Sequence, residues 1–354
     1  MCISDRVKTL QVGASVGGVV LAVEQFAPSI AEMPTRLIVT YAVAVSVSMI
    51  VFRGYYQHIE KASLLMIGAF TIFTFASLCA LQTTEFAISG KEFVSGLIPH
   101  IPSDTVILFV AMGAFGITGV GGDEIMAYNY WLIEKGYAAY TGPRNDSPEW
   151  ERRARGWIRI MYLDATLAMV AYTSMTVMFY LLGAAVLNRQ ELIPEKGELI
   201  STLGMMYTDS LGPWARTLFL LGAIVVLYST LFAALAAWTR MFSDAFSRVG
   251  LFNFEDVTSR RKSIAILAWI IPVIWATLFL YMEAPGLMVF LGGLATVVIL
   301  LIVVFAALFF RYRRLDRRLA PSFLYDCALW ISSIAIVVVA TYVGWDAAAK
   351  LMSD

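Results

Sequence analysis

Apolar residues run along this chain in long blocks, and most polar positions fall between the blocks. A helix needs about 20 mostly apolar residues to cross a bilayer. Blocks of that kind occupy 10–30, 36–52, 62–84, 105–137, 157–187, 214–247, 263–282, 285–310 and 322–344. They predict nine spans within a single transmembrane domain over 1–354. Outer-membrane strands would instead alternate over about ten residues, so the expected class is an all-α integral membrane bundle. The block 105–137 is too long for one straight crossing, and an interruption is expected at 119–122.

Composition agrees with this pattern. Of 354 residues, 59% are hydrophobic and 15% charged, against about 25% charged in an ordinary soluble domain. Too little polar surface exists to cover a water-soluble globule of this length, which excludes a soluble enzyme, a nucleic-acid binder and a disordered scaffold. The net charge of zero conceals an asymmetry. With the N-terminus cytoplasmic, 20 of the 26 Lys and Arg fall on the inner side, leaving Arg36, Lys91, Arg189, Lys196, Arg216 and Lys350 outside. By the positive-inside rule this predicts a multi-pass protein of the cell (inner) membrane, N-terminus in and C-terminus out. Glu24 interrupts the first apolar run behind Arg6 and Lys8, so no cleavable signal is expected. The arginines of 141–156 read as topology and headgroup contacts. Cys2, Cys79 and Cys327 are far apart, and His58 and His100 are isolated, so neither a disulfide framework nor a His-based metal centre is expected.

Candidate chemistry concentrates in the fourth block. Gly113, Gly116, Gly119, Gly121 and Gly122 precede the adjacent carboxylates Asp123 and Glu124. Irregular backbone at membrane depth is tolerated only where it lines a protein cavity, and ionisable groups there are costly and functional by default. The stretch reads as two half-helices, 105–118 and 123–137, around an unwound Gly119–Gly122. Transporters bind substrates and ions at such breaks. Asp123 and Glu124, with the carbonyls around Gly119, Gly121 and Gly122, are hard oxygen ligands for a divalent cation or a pair that carries protons. The same residues admit a structural reading: Asp123 caps the second half-helix, Glu124 favours its dipole, and the glycines allow close packing. Weaker candidates for a pathway are Gln11 in the first span and Tyr228, Ser229 and Thr230 in the sixth, whose hydroxyls could equally bond back to their own helix. Glu24 is expected to be exposed at the interface, and Asp164 to answer a nearby arginine.

At this fourth span the chain resembles the Nramp family of divalent metal ion transporters. Gly116-Ile-Thr-Gly119-Val120-Gly121-Gly122-Asp123 resembles the family's broken sixth span, and Phe93–Pro99 the approach to it. Tyr55–Lys61 resembles the start of its fifth span, and Leu221–Leu251 its eighth, with Tyr228-Ser229-Thr230 where that helix carries a polar run. The resemblance implies a bundle of the five-plus-five inverted-repeat type that moves divalent cations, coupled to protons, with no cofactor. Two departures follow from the alignment. Val120 stands where the family's metal-binding Met is expected, and Gly121-Gly122 where a Pro-His pair is expected, which points to a harder cation. Met126 would restore a thioether only after a register shift of more than a turn. On the same alignment the family's first two spans have no counterpart, leaving the first repeat incomplete.

The function expected is therefore secondary transport of divalent metal cations, with protons and the lipid bilayer as partners and no nucleic acid. Two alternatives stand beside it: a truncated or non-transporting membrane protein derived from the family, and a broken-helix solute transporter. Asp123 at a half-helix N-terminus would repel a substrate carboxylate, which disfavours anionic solutes. A membrane-embedded metallohydrolase would want a His-rich ligand set, and the chain lacks one.

Overall fold

The computed structural model describes residues 3–53, 56–98, 105–118, 120–134, 136–194, 197–254 and 256–353. Helices account for nearly all of them: α1 (Ile3–Glu24), α2 (Thr35–Arg53), α3 (Tyr56–Leu81), the short α4 (Gly90–Gly96), α5 (Thr105–Thr118), α6 (Gly122–Glu134), the short α7 (Tyr137–Thr141), α8 (Pro148–Leu182), α9 (Leu199–Leu211), α10 (Ala215–Arg248), α11 (Val257–Met282), α12 (Pro285–Phe309) and α13 (Phe323–Ser353). Among the described residues there is no strand. A wider, π-helical turn continues α8 to Leu187 and another continues α12 to Arg314. Among the described residues, eight helices are long and apolar enough to cross a membrane. This is an all-α, multi-pass membrane protein. The helices α5 and α6, at 14 and 13 residues, are each too short to cross alone.

Local signals explain several helix ends. Ser89 accepts from the Glu92 amide while the Glu92 carboxylate accepts from the Ser89 amide, a reciprocal cap that starts α4. The Asp256 carboxylate accepts from the amides of Thr258 and Ser259 at the start of α11. Gly212, at φ 95°, ends α9 in a conformation that favours glycine.

The helices gather into two units, one of residues 9–101 and 172–289, the other of 1–8, 102–171 and 290–354. In the first, α10 packs on α3, α9 and α11, and α2 on α11. Its core joins Phe70, Phe73, Tyr207 and Phe219; Phe73 and Tyr207 stack at 5.0 Å. The buried Tyr207 hydroxyl shares a 3.0 Å hydrogen bond with Thr74 Oγ1. Small residues let α1 approach its neighbours: a Cβ on Gly17 would strike the Phe279 ring, and one on Gly18 would meet Leu227 at 2.6 Å. α1 is accordingly the most buried of the long helices, 72% of its apolar window against 11% for Phe323–Tyr342 of α13.

Glu24 departs from the interfacial exposure expected of it. It is 8% exposed, and its Oε1 lies 2.9 Å from Arg36 Nε. Arg36 also reaches Glu283 at 3.7 Å and lies over the Phe279 ring. A carboxylate at a helix end need not face water when the next helix begins with an arginine that can fold back over it. Removing one partner of a buried pair leaves the other charge uncompensated. Arg36→Met is therefore expected to destabilise the protein by about 3–5 kcal/mol, read as detergent-solubilised thermal unfolding, and adding Glu24→Gln should recover most of the loss. Recovery failing in the double variant would show that Arg36 acts through other contacts.

In the other unit, the segment after α12 is held by its own charges. Asp316 accepts from the Arg318 amide and guanidinium and pairs with Arg144 at 2.9 Å. The hydrogen bonds from Arg318, then the charges of Arg318 and Arg144, pull its carboxyl from 3.8 down to about 2. A carboxyl depressed on folding contributes stability above its unfolded pKa, and that contribution is lost as pH falls through the folded value. Slow hydrogen exchange at the Arg318 amide should thus persist at pH 5 and disappear between pH 4 and 2, as the shift from 3.8 to about 2 requires. Asp316→Asn should make that exchange insensitive to pH over the same window once intrinsic rates are divided out.

Candidate functional site

The site is built where α5 ends and α6 begins. Both half-helices lie against α12, and glycines make the approach possible. A Cβ on Gly113 would collide with the Phe290 ring, one on Gly116 with the carbonyl of Gly293, and one on Gly122 with Ile299 Cγ2. Gly113, Gly116 and Gly122 thus each allow a close approach to α12, and one continuous helix runs past both sides of the interruption. Gly119 lies outside the described residues, as do Tyr55, Pro99 and His100.

The two carboxylates have separate partners. Glu124 is the third residue of α6, and its Oε2 accepts from the Gly121 amide at 2.9 Å. That is one half of a capping box, and it satisfies one donor at the α6 N-terminus. The Gly121 carbonyl accepts the first helical bond, from the Ile125 amide at 3.0 Å, with its second lone pair left over. Asp123, the second residue of α6, turns the other way: its Oδ1 lies 3.0 Å from Lys8 Nζ, with side chains 18% and 6% exposed respectively. A Cβ on Gly121 would sit 2.8 Å from Asp123 Oδ1 and 3.3 Å from Lys8 Nζ, so the bare backbone there makes room for the pair.

Lys8 is the component that the linear pattern hides. It reads as one of the inner-side positive charges at the start of the first span. Its burial follows from its place on α1, the helix most enclosed by others. A lysine two residues before the apolar run was the available signal, since a charge at that depth must find a partner.

One turn further along α6, the Tyr128 hydroxyl donates to Asp164 Oδ2 at 2.9 Å. Asp164, expected to answer an arginine, is thus held by a phenol: it lies deeper along α8 than Arg159, and the polar group at its level belongs to α6. Val120, which the resemblance set against the family's metal-binding Met, is 51% exposed, and Met126 40%. Among the described residues no three His, Cys, Asp or Glu side chains gather into a group that could hold a metal ion. A cation at this break would have to draw on backbone oxygen as well as carboxylate.

The pathway candidates belong to the other unit. Tyr228 donates its hydroxyl to Ser46 Oγ at 2.8 Å, linking α10 to α2. Ser229 and Thr230 both bond back to the Val226 carbonyl, at 2.9 Å each. Gln11 is half-buried on α1.

A family model described as Natural resistance-associated macrophage protein-like, Nramp, matches residues 9–346. Among curated proteins compared with the chain, none matches. The absence of the family's first two spans, expected above, is not borne out: the match runs from the first turns of α1 into α13. That count rested on registering short glycine-rich segments, and such segments recur wherever helices pack closely.

Proposed function

The chain belongs to the Nramp family of divalent metal ion transporters, and on that premise we propose that it is itself a proton-coupled secondary transporter of divalent cations. The observation that carries this reading is a helix broken between Thr118 and Gly122, with Asp123 and Glu124 opening the second half. Asp123 is the principal ligand, Glu124 a second ligand or proton carrier, and carbonyls around Gly119, Gly121 and Gly122 complete the oxygen shell. Tyr228, Ser229, Thr230 and Gln11 line the path. The protein lies in the cell membrane with its N-terminus cytoplasmic and its C-terminus outside.

Where the resemblance puts the family's sulfur ligand this chain has Val120, and the proposed preference is accordingly for harder cations such as Mn²⁺ over Cd²⁺. The test is uptake into proteoliposomes under an inward proton gradient. Mn²⁺ is expected to accumulate and to drag protons with it, and equimolar Cd²⁺ is expected to compete poorly. Val120→Met should strengthen that competition about tenfold. Absence of Mn²⁺ uptake would remove the transport reading, and stronger inhibition of the wild type by Cd²⁺ would remove the preference.

A further inference from the structure

Lys8 is placed where a lysine is unfavourable on two counts. Its side chain is 6% exposed, so its ammonium has lost most of its hydration. It also stands beside the N-terminus of α6, the end at which a helix dipole favours anions and repels cations. What offsets both costs is Asp123, 3.0 Å from Nζ, with the Glu124 carboxylate next to it on the Gly121 amide. The structure thus already holds one cation at the carboxylate assigned to the transported ion.

We propose that Lys8 is a tethered surrogate cation, its ammonium keeping the divalent ion's place at Asp123 until the arriving ion expels it. The proposal rests on the reading of Asp123 as an ion ligand. Charge arithmetic makes the two cations exclusive. Asp123 and Glu124, both ionised, are neutralised by one divalent ion. With the ammonium alone they keep one negative charge, which attracts the incoming ion. With both cations present the site carries an uncompensated positive charge in low dielectric, beside the positive end of α6. Binding is therefore an exchange, and so is release: the returning ammonium helps to eject the ion. Gly121 leaves the space this exchange needs, because a Cβ there would crowd both Asp123 Oδ1 and Lys8 Nζ.

A purely structural ion pair and a surrogate cation make opposite predictions. Breaking the former lowers affinity or leaves it unchanged; removing the latter raises it. Mn²⁺ is titrated calorimetrically into the full chain in lipid nanodiscs, as wild type, Lys8→Met and Lys8→Arg, each with and without Asp123→Asn. Lys8→Met is expected to bind Mn²⁺ about tenfold more tightly, or better, with slower uptake at saturating Mn²⁺. Lys8→Arg keeps the charge and should show no gain. As a second measurement on the wild type, an amine-acylating reagent is applied and the Lys8 peptide read by mass spectrometry. Mn²⁺ should raise its labelling several-fold by freeing the ammonium.

Affinity unchanged or weakened in a folded Lys8→Met, while Mn²⁺ binding still requires Asp123, overturns the surrogate role and leaves the ion site standing. Should Lys8→Met fail to fold, labelling of wild-type Lys8 decides, and labelling indifferent to Mn²⁺ overturns the proposal. Mn²⁺ binding unaffected by Asp123→Asn overturns the ion site and the surrogate together.

Discussion

Asp123→Asn is expected to cut Mn²⁺ uptake by about 10–100-fold, the range over which loss of even an outer partner weakens a metal site, and to lower stability as well. The two effects have different origins. Uptake falls because a neutral amide cannot offset the charge of a dehydrated divalent ion. Stability falls because Lys8, 6% exposed beside a carboxylate at 3.0 Å, would keep a buried charge with that counter-charge gone, at a cost of about 3–5 kcal/mol. The double variant Lys8→Met, Asp123→Asn separates them. It should regain most of the thermal stability, since both buried charges are removed, and none of the uptake. Uptake returning along with stability would reduce Asp123 to a structural partner of Lys8.

Gly116→Val is expected to have the second largest effect, on folding. A Cβ at this position falls on the carbonyl of Gly293 in α12. Backbone cannot turn aside as a flexible side chain can, so α5 must move off α12. Overpacking of a tight interface costs about 1–3 kcal/mol and occasionally more, and here the displaced helix is one side of the candidate site. The yield of monodisperse protein in detergent and its unfolding temperature should both fall. Gly68→Ala is the control, because nothing lies within 4 Å of a Cβ there; it should change stability by no more than about 1 kcal/mol, in the favourable direction. Equal behaviour of the two variants would show that the α5–α12 contact does not need its glycines.

How much of this was legible beforehand differs from residue to residue. The long apolar runs are long helices, because in lipid a backbone must satisfy its own hydrogen bonds and span length is a local property. Glu124 could be read from the sequence as a first-turn acid, and in the structure its carboxylate accepts from the Gly121 amide. Likewise Ser229 and Thr230 bond to their own helix, a partner that spacing alone supplies. Tyr228 does not: its acceptor, Ser46, sits on another helix. Glu24 and Asp164 were misread for a related reason. Depth along a helix says how costly a charge is, but not whether an arginine or a phenol meets it.

The sequence by itself determined the class, the interrupted helix and the placing of two carboxylates at its restart, since each depends on residues adjacent in the chain. It also carried the family, through patterns spread over residues 9–346. Only the tertiary structure decided that Gly113, Gly116 and Gly122 lie against α12, and that Asp123 faces Lys8. Lys8 and Asp123 are distant in sequence, on helices whose apolar faces are permissive of many packings. Which charge meets which is fixed by how those helices dock, because in a medium that solvates no ion each buried charge takes the partner that packing brings within reach.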